Sequence, residues 1–135
     1  MPTEFKYSFQ VPFHQVDHAG IMFFAHLFTH AHDAYAALME SCSFGLPQII
    51  EDGIFAIPLV HAEADYLLPM HHGDRISVRL NVERTGTSSF RLACRFSCNN
   101  KLCAETRTDH VYITLETGKP TALPDSLRST LAQYS

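Results

Sequence analysis

The stretch that joins the first predicted strand to the first predicted helix contains residues that could act on a carbonyl group. Asp17 precedes Gly20 by three residues, and the apolar run of residues 21–24 follows. The first turn of a helix has backbone N–H groups without intrahelical partners, and its dipole favours negative charge nearby. A carbonyl group placed there would be polarised, and an oxyanion formed on it would be stabilised. The carboxylate of Asp17 could attack that carbonyl, or deprotonate a water molecule that does.

The neighbours of Asp17 suit such a site, although a simpler role is also open to Asp17. Gly20 has no side chain where a substrate must approach the backbone, and Ile21, Phe23 and Phe24 would exclude bulk water. An aspartate before a helix, however, most often accepts a backbone N–H as a cap or a turn former. The local pattern alone favours this capping role and does not identify an enzyme.

Histidines supply two further possibilities among the nine in the chain. His26 and His30 are four residues apart on the predicted helix and Asp33 follows, a spacing that can chelate a transition metal. The same residues could equally form the polar stripe of a helix whose other side is core, and no H-E-x-x-H or cysteine–histidine pattern accompanies them. We therefore predict no metal. His18 could assist proton transfer at Asp17, or could be a loop histidine exposed to water.

The elements that must position these residues follow from hydrophobic periodicity. Apolar and polar residues alternate over 5–15, where Pro12 indicates an edge position or a bulge. Over 22–39 the spacing becomes helical, and the wide apolar face, which includes Phe23 and Phe24, indicates a largely buried helix. The opposite face is predicted to be polar, with His26, His30, Asp33 and Glu40. Gly45 and Pro47 then predict the helix end and a loop.

The rest of the chain reads as strands and a short C-terminal helix. The apolar segment 55–68 predicts a strand covered on both sides for part of its length, and residues 85–88 predict a hairpin turn. The predicted elements after the long helix are strands over 55–68, 76–83, 90–96 and 102–116 and a helix within 124–133. Together they predict an α+β fold in which an antiparallel sheet of about five strands wraps around one long central helix.

Length and composition limit the class of protein. A chain of 135 residues with 46% hydrophobic and 18% charged residues suits one domain over 1–135. A net charge of −4 argues against a nucleic-acid partner. No apolar run approaches the ~20 residues that span a bilayer, and the first residues lack a signal-peptide pattern. We therefore expect a cytoplasmic protein without a membrane partner, with its four cysteines reduced. The exposed edges of a single sheet further predict a homodimer.

The segment Asp17-His18-Ala19-Gly20-Ile21-Met22-Phe23-Phe24 resembles the Asp-x-Ala-Gly-φ-φ-φ-aromatic signature (φ, apolar) of the 4-hydroxybenzoyl-CoA thioesterase-like hotdog family. The resemblance extends along nearly the whole chain in order. Similar features in that family are the turn with Pro69 and Gly73-Asp74, the hairpin at residues 84–89, and the last strand through Gly118-Lys119-Pro120 to Leu123-Pro124. The resemblance implies the hotdog fold and hydrolysis of an acyl-CoA thioester, with the substrate's coenzyme A as the only cofactor and a dimer or tetramer as the assembly.

The resemblance also assigns roles to single residues. It implies that Asp17 is the nucleophile or general base, and that backbone N–H groups near Phe23 and Phe24 polarise the thioester. The family often has Tyr or His at the position of Phe24, so only the backbone contribution carries over here. Gly20 would admit the substrate, His18, Ile21 and Phe23 would line its site, and Arg84, Ser88 and Ser89 would hold the coenzyme A phosphates, with Arg91, Arg95 or Lys101 as further donors. The Phe-Ala pair at 24–25 resembles the branch that hydrolyses 1,4-dihydroxy-2-naphthoyl-CoA.

Two alternatives stay open at this level. One is a hotdog module that binds acyl thioesters without hydrolysing them. The other is a hotdog hydratase or dehydratase, because His61, Glu63 and Asp65 alternate on one face of a predicted strand and dehydratases use a histidine with a nearby acid. The histidine motif that precedes the helix in those enzymes is not found in this sequence.

Overall fold

A five-stranded antiparallel sheet forms the frame of the protein in a computed structural model that describes residues 3–135. Met1 and Pro2, which belong to the N-terminal stretch used for the signal-peptide prediction and to the predicted domain 1–135, lie outside the described residues. The strands are ordered β1 (Phe5–Gln10), β4 (Arg75–Thr85), β5 (Ser89–Cys98), β6 (Lys101–Val111) and β3 (Leu59–Tyr66). The predicted sheet of about five antiparallel strands is confirmed.

Three α-helices and a small second sheet are the other main elements within residues 3–135. Helix α1 (His26–Ser41) is the longest and buries seven side chains, among them Leu27, Ala34 and Leu38. Helix α2 (Leu46–Asp52) stands where a loop was predicted, because Gly45 opens a new helix with Pro47 in its first turn, where proline is tolerated. Helix α3 (Asp125–Gln133) confirms the predicted C-terminal helix. Strands β2 (Phe55–Ala56) and β7 (Ile113–Thr114) pair with each other.

The two faces of the sheet differ in character, because successive side chains of a strand point to opposite sides. The pairs Leu92/Thr108 and Phe96/Ala104 of β5 and β6 are buried in the core. The alternate pairs, such as Arg95/Glu105, therefore lie on the outer face. The strands that alternate most regularly in the sequence, β4 and β5, show this division most clearly.

Strand β3 differs from the prediction for residues 55–68. The segment breaks at Ile57 and Pro58, and β3 is an edge strand that pairs with β6 alone. Its residues are exposed except for Ala64, which is half-buried, so it is not covered on both sides. A strand at an open edge exposes both side chains and unpaired backbone groups.

The sheet has two ends that matter for the site. At the turn end, β3 leads through residues 67–74 into β4; at the hairpin end, residues 86–88 join β4 to β5. Tyr66 and Arg75 lie at the turn end, whereas Leu59 and Thr85 lie at the hairpin end. The two ends of the eleven-residue β4 are about 33 Å apart at ~3.3 Å per residue. None of the helices within residues 3–135 combines the length and apolar character of a membrane span.

Candidate active site

The segment around Asp17 forms a tight turn rather than the end of a strand. Strand β1 stops at Gln10, and residues 13–15 form one turn of 3-10 helix, so the predicted strand 5–15 is too long. Val16 and Met22 then pair across the turn, and Gly20 takes a left-handed backbone (φ +79°). Glycine occupies such a conformation without steric cost. The turn therefore presents Asp17 opposite the residues that lead into α1.

The carboxylate of Asp17 is exposed and uses one oxygen to hold this turn. Its Oδ1 accepts the backbone N–H groups of Ala19 (2.9 Å) and Ile21 (3.2 Å). Within residues 3–135 no hydrogen bond is recorded for Oδ2. Asp17 is thus a turn former, as the simpler interpretation predicted, and it also retains an oxygen that can face a substrate.

The start of α1 supplies the amide donors. The predicted helix over 22–39 begins only at His26, because Met22 donates to the Met70 carbonyl (2.8 Å) and Phe23 to the Gln15 carbonyl (2.8 Å). The backbone N–H of Phe23 is therefore engaged. That N–H groups near Phe23 and Phe24 polarise the substrate stays a prediction, and it now concerns the N–H groups that follow Phe23. No acceptor is recorded among the described residues for the N–H groups of Phe24 and Ala25.

Asp17 and the residues that precede α1 line an open groove of about 550 Å³. Asp17, Ile21, Phe23 and Phe24 line one side, and residues 66–70 line the other. The sequence places Phe23 and Phe24 in the core, but they are 48% and 61% exposed, because the helix that would have buried them has not yet begun. The structure thus brings together four of the predicted residues. His18 and Gly20 belong to the turn but are not among the residues that line the groove.

Tyr66 is a residue of this groove that the sequence analysis missed. Its hydroxyl donates to the backbone carbonyl of Phe24 (2.7 Å), so the end of β3 is tied to the start of α1. Burial raises the pKa of this phenol above its usual value. Because the peptide that follows Phe24 is held through its carbonyl, the neighbouring N–H of Ala25 is held as well. The only feature of the sequence that could have indicated Tyr66 is its position near the end of the apolar segment 55–68.

A buried hydrogen bond supports the turn from behind. Nε2 of His30 lies 2.6 Å from Oε1 of Gln15, and the His30 ring stacks on Phe9 with centroids 3.6 Å apart. Burial lowers the pKa of His30, with Asp33 opposing the shift. The prediction that His30 belongs to a polar helix face is therefore wrong. Within residues 3–135 no group of three or more potential ligands could hold a metal, so His26, His30 and Asp33 do not form a site.

The predicted phosphate donors lie far from Asp17 in the same chain. Arg84, Ser88 and Ser89 are at the hairpin end of the sheet, whereas Asp17 is tied to the turn end through the hydrogen bond from His72 to Gly20 (2.9 Å). The exposed guanidinium of Arg84 contacts Asp109 at 3.4 Å. Arg91 holds the same carboxylate by two bonds of 2.7 and 2.8 Å, which lowers the pKa of Asp109. One chain therefore does not bring this hairpin to its own groove.

The residues that suggested a dehydratase are also outside the groove. Ala62, Ala64 and Tyr66 pair with the inward residues of β6, so His61 and Glu63 lie on the outer face. They are half-exposed and 3.3 Å apart. A histidine–acid pair on the outer face cannot act on a substrate held at the helix start.

Comparison with known proteins gives the class to which this fold and groove belong. Residues 11–131 match the family model described as the thioesterase-like superfamily. The chain is 34% identical over 128 residues to a 1,4-dihydroxy-2-naphthoyl-CoA hydrolase of Synechococcus elongatus, covering 93% of this chain and 94% of that one. It is 36% identical over 124 residues to the hydrolase of the same name from Synechocystis, covering 89% and 88%. The chain therefore belongs to the thioesterase-like superfamily.

The solved structures agree with the sequence relatives. The crystal structure of a 1,4-dihydroxy-2-naphthoyl-CoA thioesterase from Synechocystis matches with a TM-score of 0.90 and 33% identity, over 96% of each chain. The predicted hotdog fold and the predicted family are confirmed. These relatives also confirm the predicted activity class, hydrolysis of an acyl-CoA thioester.

Proposed function

We propose that this protein hydrolyses an aromatic acyl-CoA, with 1,4-dihydroxy-2-naphthoyl-CoA as the first candidate substrate, and that Asp17 drives the reaction. The observation that carries the proposal is the groove lined by the exposed Asp17 and by Phe24, whose N–H, like that of Ala25 next to it, has no recorded acceptor within residues 3–135. The names of the Synechococcus and Synechocystis relatives support the choice of acyl group.

Hydrolysis can follow two routes from this geometry. In one, a carboxylate oxygen of Asp17 bonds to the thioester carbon, the C–S bond breaks, coenzyme A leaves as thiolate, and water hydrolyses the mixed anhydride. In the other, Asp17 takes a proton from water while that water oxygen bonds to the same carbon and the C–S bond breaks. In both, the amides of Phe24 and Ala25 stabilise the oxyanion. Water is the co-substrate, and we propose no cofactor beyond the coenzyme A of the substrate.

We further propose that two copies pair antiparallel through β3. This edge strand exposes the apolar or aromatic side chains of Leu59, Val60 and Tyr66, and its outer backbone edge has no strand beside it within residues 3–135. A two-fold related copy added there would satisfy those backbone groups and extend the sheet. We infer a homodimer as the minimal unit; further association into a tetramer would use other surfaces.

This pairing supports the roles proposed for Arg84, Ser88 and Ser89. In an antiparallel pair, the hairpin end of one copy lies at the turn end of the other, on the side where Asp17 is found. A substrate cleaved at Asp17 of one copy can then place its phosphates near the exposed Arg84 of the second. Lys101 lies at the turn end of its own chain and is a further candidate donor there.

We place the reaction in the cytoplasm. All four cysteines are free thiols, and Cys94 and Cys103 are buried in the core. Reduced thiols persist in that compartment.

The decisive experiment replaces Asp17 by asparagine. Asparagine can accept the turn hydrogen bonds through its own Oδ1, so the fold should keep its melting temperature while the charge is lost. We expect thiol release from 1,4-dihydroxy-2-naphthoyl-CoA to fall by about 10³-fold or more. The matched control is Asp52→Asn, an exposed aspartate on α2 that accepts a bond from Gln48. Full activity in Asp17→Asn would refute the proposal.

Isotope labelling can identify the anhydride route. A single turnover in ¹⁸O-water labels the Asp17 carboxylate if the anhydride is opened at the aspartyl carbon. Label in the released acid alone fits both direct attack by water and an anhydride opened at its acyl carbon. Mass spectrometry of the peptide that contains Asp17 reads the outcome.

A further inference from the structure

The hydroxyl of Tyr66 is bonded to the peptide unit that carries one of the proposed oxyanion donors. Tyr66 ends β3 and lines the Asp17 groove, and its hydroxyl donates to the backbone carbonyl of Phe24 at 2.7 Å. That carbonyl and the N–H of Ala25 belong to the same peptide unit. Although 42 positions separate Tyr66 from Phe24 in the chain, the end of an edge strand is thus bonded directly to the peptide that leads into α1.

The orientation of this peptide unit determines where its N–H points. The Phe24 carbonyl also accepts the N–H of Leu27 (3.3 Å), so it points along α1. In a trans peptide the C=O and the N–H point in opposite directions. The N–H of Ala25 therefore points out of the start of α1, away from Tyr66. Ala25 is the N-cap residue and makes no side-chain cap bond, so its N–H is left for a ligand.

The two donors on the Phe24 carbonyl polarise the whole peptide unit. A hydrogen bond to the carbonyl draws electron density toward its oxygen, and the N–H of the same unit becomes a stronger donor. The Tyr66 O–H, the Phe24 carbonyl and the Ala25 N–H thus form a chain that ends on the substrate. Each bond of the chain strengthens as negative charge develops on the thioester oxygen. Interactions that strengthen only in the transition state accelerate the chemical step without tightening substrate binding.

The phenol of Tyr66 keeps the proton that this role requires. Burial raises the pKa of Tyr66 above its usual value, so the side chain is a neutral donor at pH 7. A neutral group also places no negative charge close to the developing oxyanion. Within residues 3–135 the Phe24 carbonyl is the one hydrogen-bond acceptor recorded for this hydroxyl, so its proton is committed to that peptide.

We infer that Tyr66 is a positioning residue of the thioesterase reaction: its hydroxyl orients and polarises the peptide between Phe24 and Ala25, whose N–H stabilises the oxyanion. This inference rests on the proposed function, because it requires a thioester that is cleaved at Asp17. It gives strand β3 a part in the chemistry, beside the turn of Asp17 and the start of α1.

The first test removes the hydroxyl and keeps the ring. The single-turnover rate constant of thiol release from 1,4-dihydroxy-2-naphthoyl-CoA is measured at saturating enzyme, together with the half-saturating concentration. Loss of a direct oxyanion donor costs about 10²–10³-fold, and Tyr66 acts through one peptide, so we expect Tyr66→Phe to lower the rate constant about tenfold. The half-saturating concentration should stay unchanged. Tyr7→Phe removes a hydroxyl from β1, at the far edge of the sheet, and should keep both wild-type values. A wild-type rate constant in Tyr66→Phe, or a change in half-saturation alone, would overturn the inference.

A fluorinated side chain separates polarisation from packing. Replacing Tyr66 alone by 3-fluorotyrosine keeps the ring and the hydroxyl but makes the phenol a stronger hydrogen-bond donor. At pH 7, where this phenol is still protonated, we expect the single-turnover rate constant to rise about twofold above wild type. A hydroxyl that only held the fold together would leave the fluorinated protein at the wild-type rate, and that result would overturn the polarising role.

Failure of the proposed function gives a different pattern. If the wild type releases no thiol, or if Asp17→Asn releases it at the wild-type rate, the thioesterase proposal fails and the role of Tyr66 falls with it. If the wild type is active and Asp17→Asn is not, an unchanged rate in Tyr66→Phe overturns the role of Tyr66 alone.

Discussion

At the scale of single residues, one carboxylate holds the turn and keeps an oxygen for the catalytic role that we propose. Oδ1 of Asp17 holds the turn through Ala19 and Ile21. Oδ2 is available to a substrate in the groove. Capping and catalysis therefore do not exclude each other, because a carboxylate has two oxygens with separate partners.

The left-handed backbone of Gly20 makes the turn sensitive to substitution. Gly20→Ala forces a Cβ into φ +79°, which costs roughly 1–2 kcal/mol. Gly118→Ala meets the same strain at φ +71° in a turn far from the groove, and neither Cβ would clash with a neighbour. We expect both variants to lose similar unfolding free energy in urea, whereas only Gly20→Ala also loses kcat/KM. Equal activity in the two variants would show that the turn does not position Asp17.

His110 should make stability depend on pH. Its pKa in the folded protein is about 4, below the usual 6.5, because burial and nearby His32 disfavour the charged ring while Asp109 only partly opposes them. The unfolded chain therefore binds more protons between these values, and the contribution of His110 is complete above pH 6.5 and lost as pH falls toward 4. The free energy of unfolding should drop by about 2 kcal/mol between pH 7 and pH 5 from this group, and the lowered pKa of His30 acts in the same direction. Urea titrations at both pH values should show a smaller drop in His110→Phe; an equal drop would contradict this assignment.

At the scale of elements, the late start of α1 leaves the donors of the site exposed rather than packed in the core. Had the helix begun at Met22, the N–H of Phe24 would still be free, but Phe23 and Phe24 would pack in the core. Because the backbone N–H groups of Met22 and Phe23 bond to Met70 and Gln15, α1 begins only at His26. Residues 23–25 therefore lie outside the helix, at the edge of the groove. The first free amides therefore lie beside Asp17.

The link between Gln15 and His30 should position residues 23–25. Gln15→Met keeps the side-chain volume but removes the bond to His30, and the backbone carbonyl of Gln15 is the acceptor for Phe23. We expect a loss of about 1–2 kcal/mol in unfolding free energy and a fall in kcat of about tenfold with KM little changed. Gln48→Met, which removes an exposed bond to Asp52 on α2, is the matched control. If both variants keep the wild-type kcat, the link serves stability alone.

At the scale of the whole molecule, the proposed pairing of two copies depends on the open edge of β3. Val60 is 62% exposed there, beside a register shift between Leu59 and His61. A lysine on an edge strand opposes strand addition. We therefore expect Val60→Lys to shift the protein from dimer toward monomer in light scattering after size exclusion, and to lower activity in parallel.

The control for this prediction makes the same chemical change elsewhere. Ile50 is 79% exposed on α2, away from β3, so Ile50→Lys should leave the dimer intact. A wild-type protein that is monomeric at all concentrations, or an unaffected Val60→Lys dimer, would contradict pairing through β3.

The sequence by itself determined the features that depend on local periodicity and turn chemistry. The alternation of β4 and β5, the hairpin between them, the C-terminal helix and the turn from Asp17 to Gly20 all follow from neighbours within a few residues. Family resemblance extended these to the fold and the activity class, because the Asp-x-Ala-Gly segment stands in the same order among the same elements.

Only the tertiary structure decided which partners these elements meet. Contacts between residues distant in sequence decide three features of the protein. They leave β3 exposed, they bury His30 against Gln15, and they engage the amide of Phe23. The bond from Tyr66 to Phe24 spans 42 positions, and no local pattern records it. A period in the sequence specifies which face of an element is apolar, whereas the packing of the whole chain determines what, if anything, covers that face.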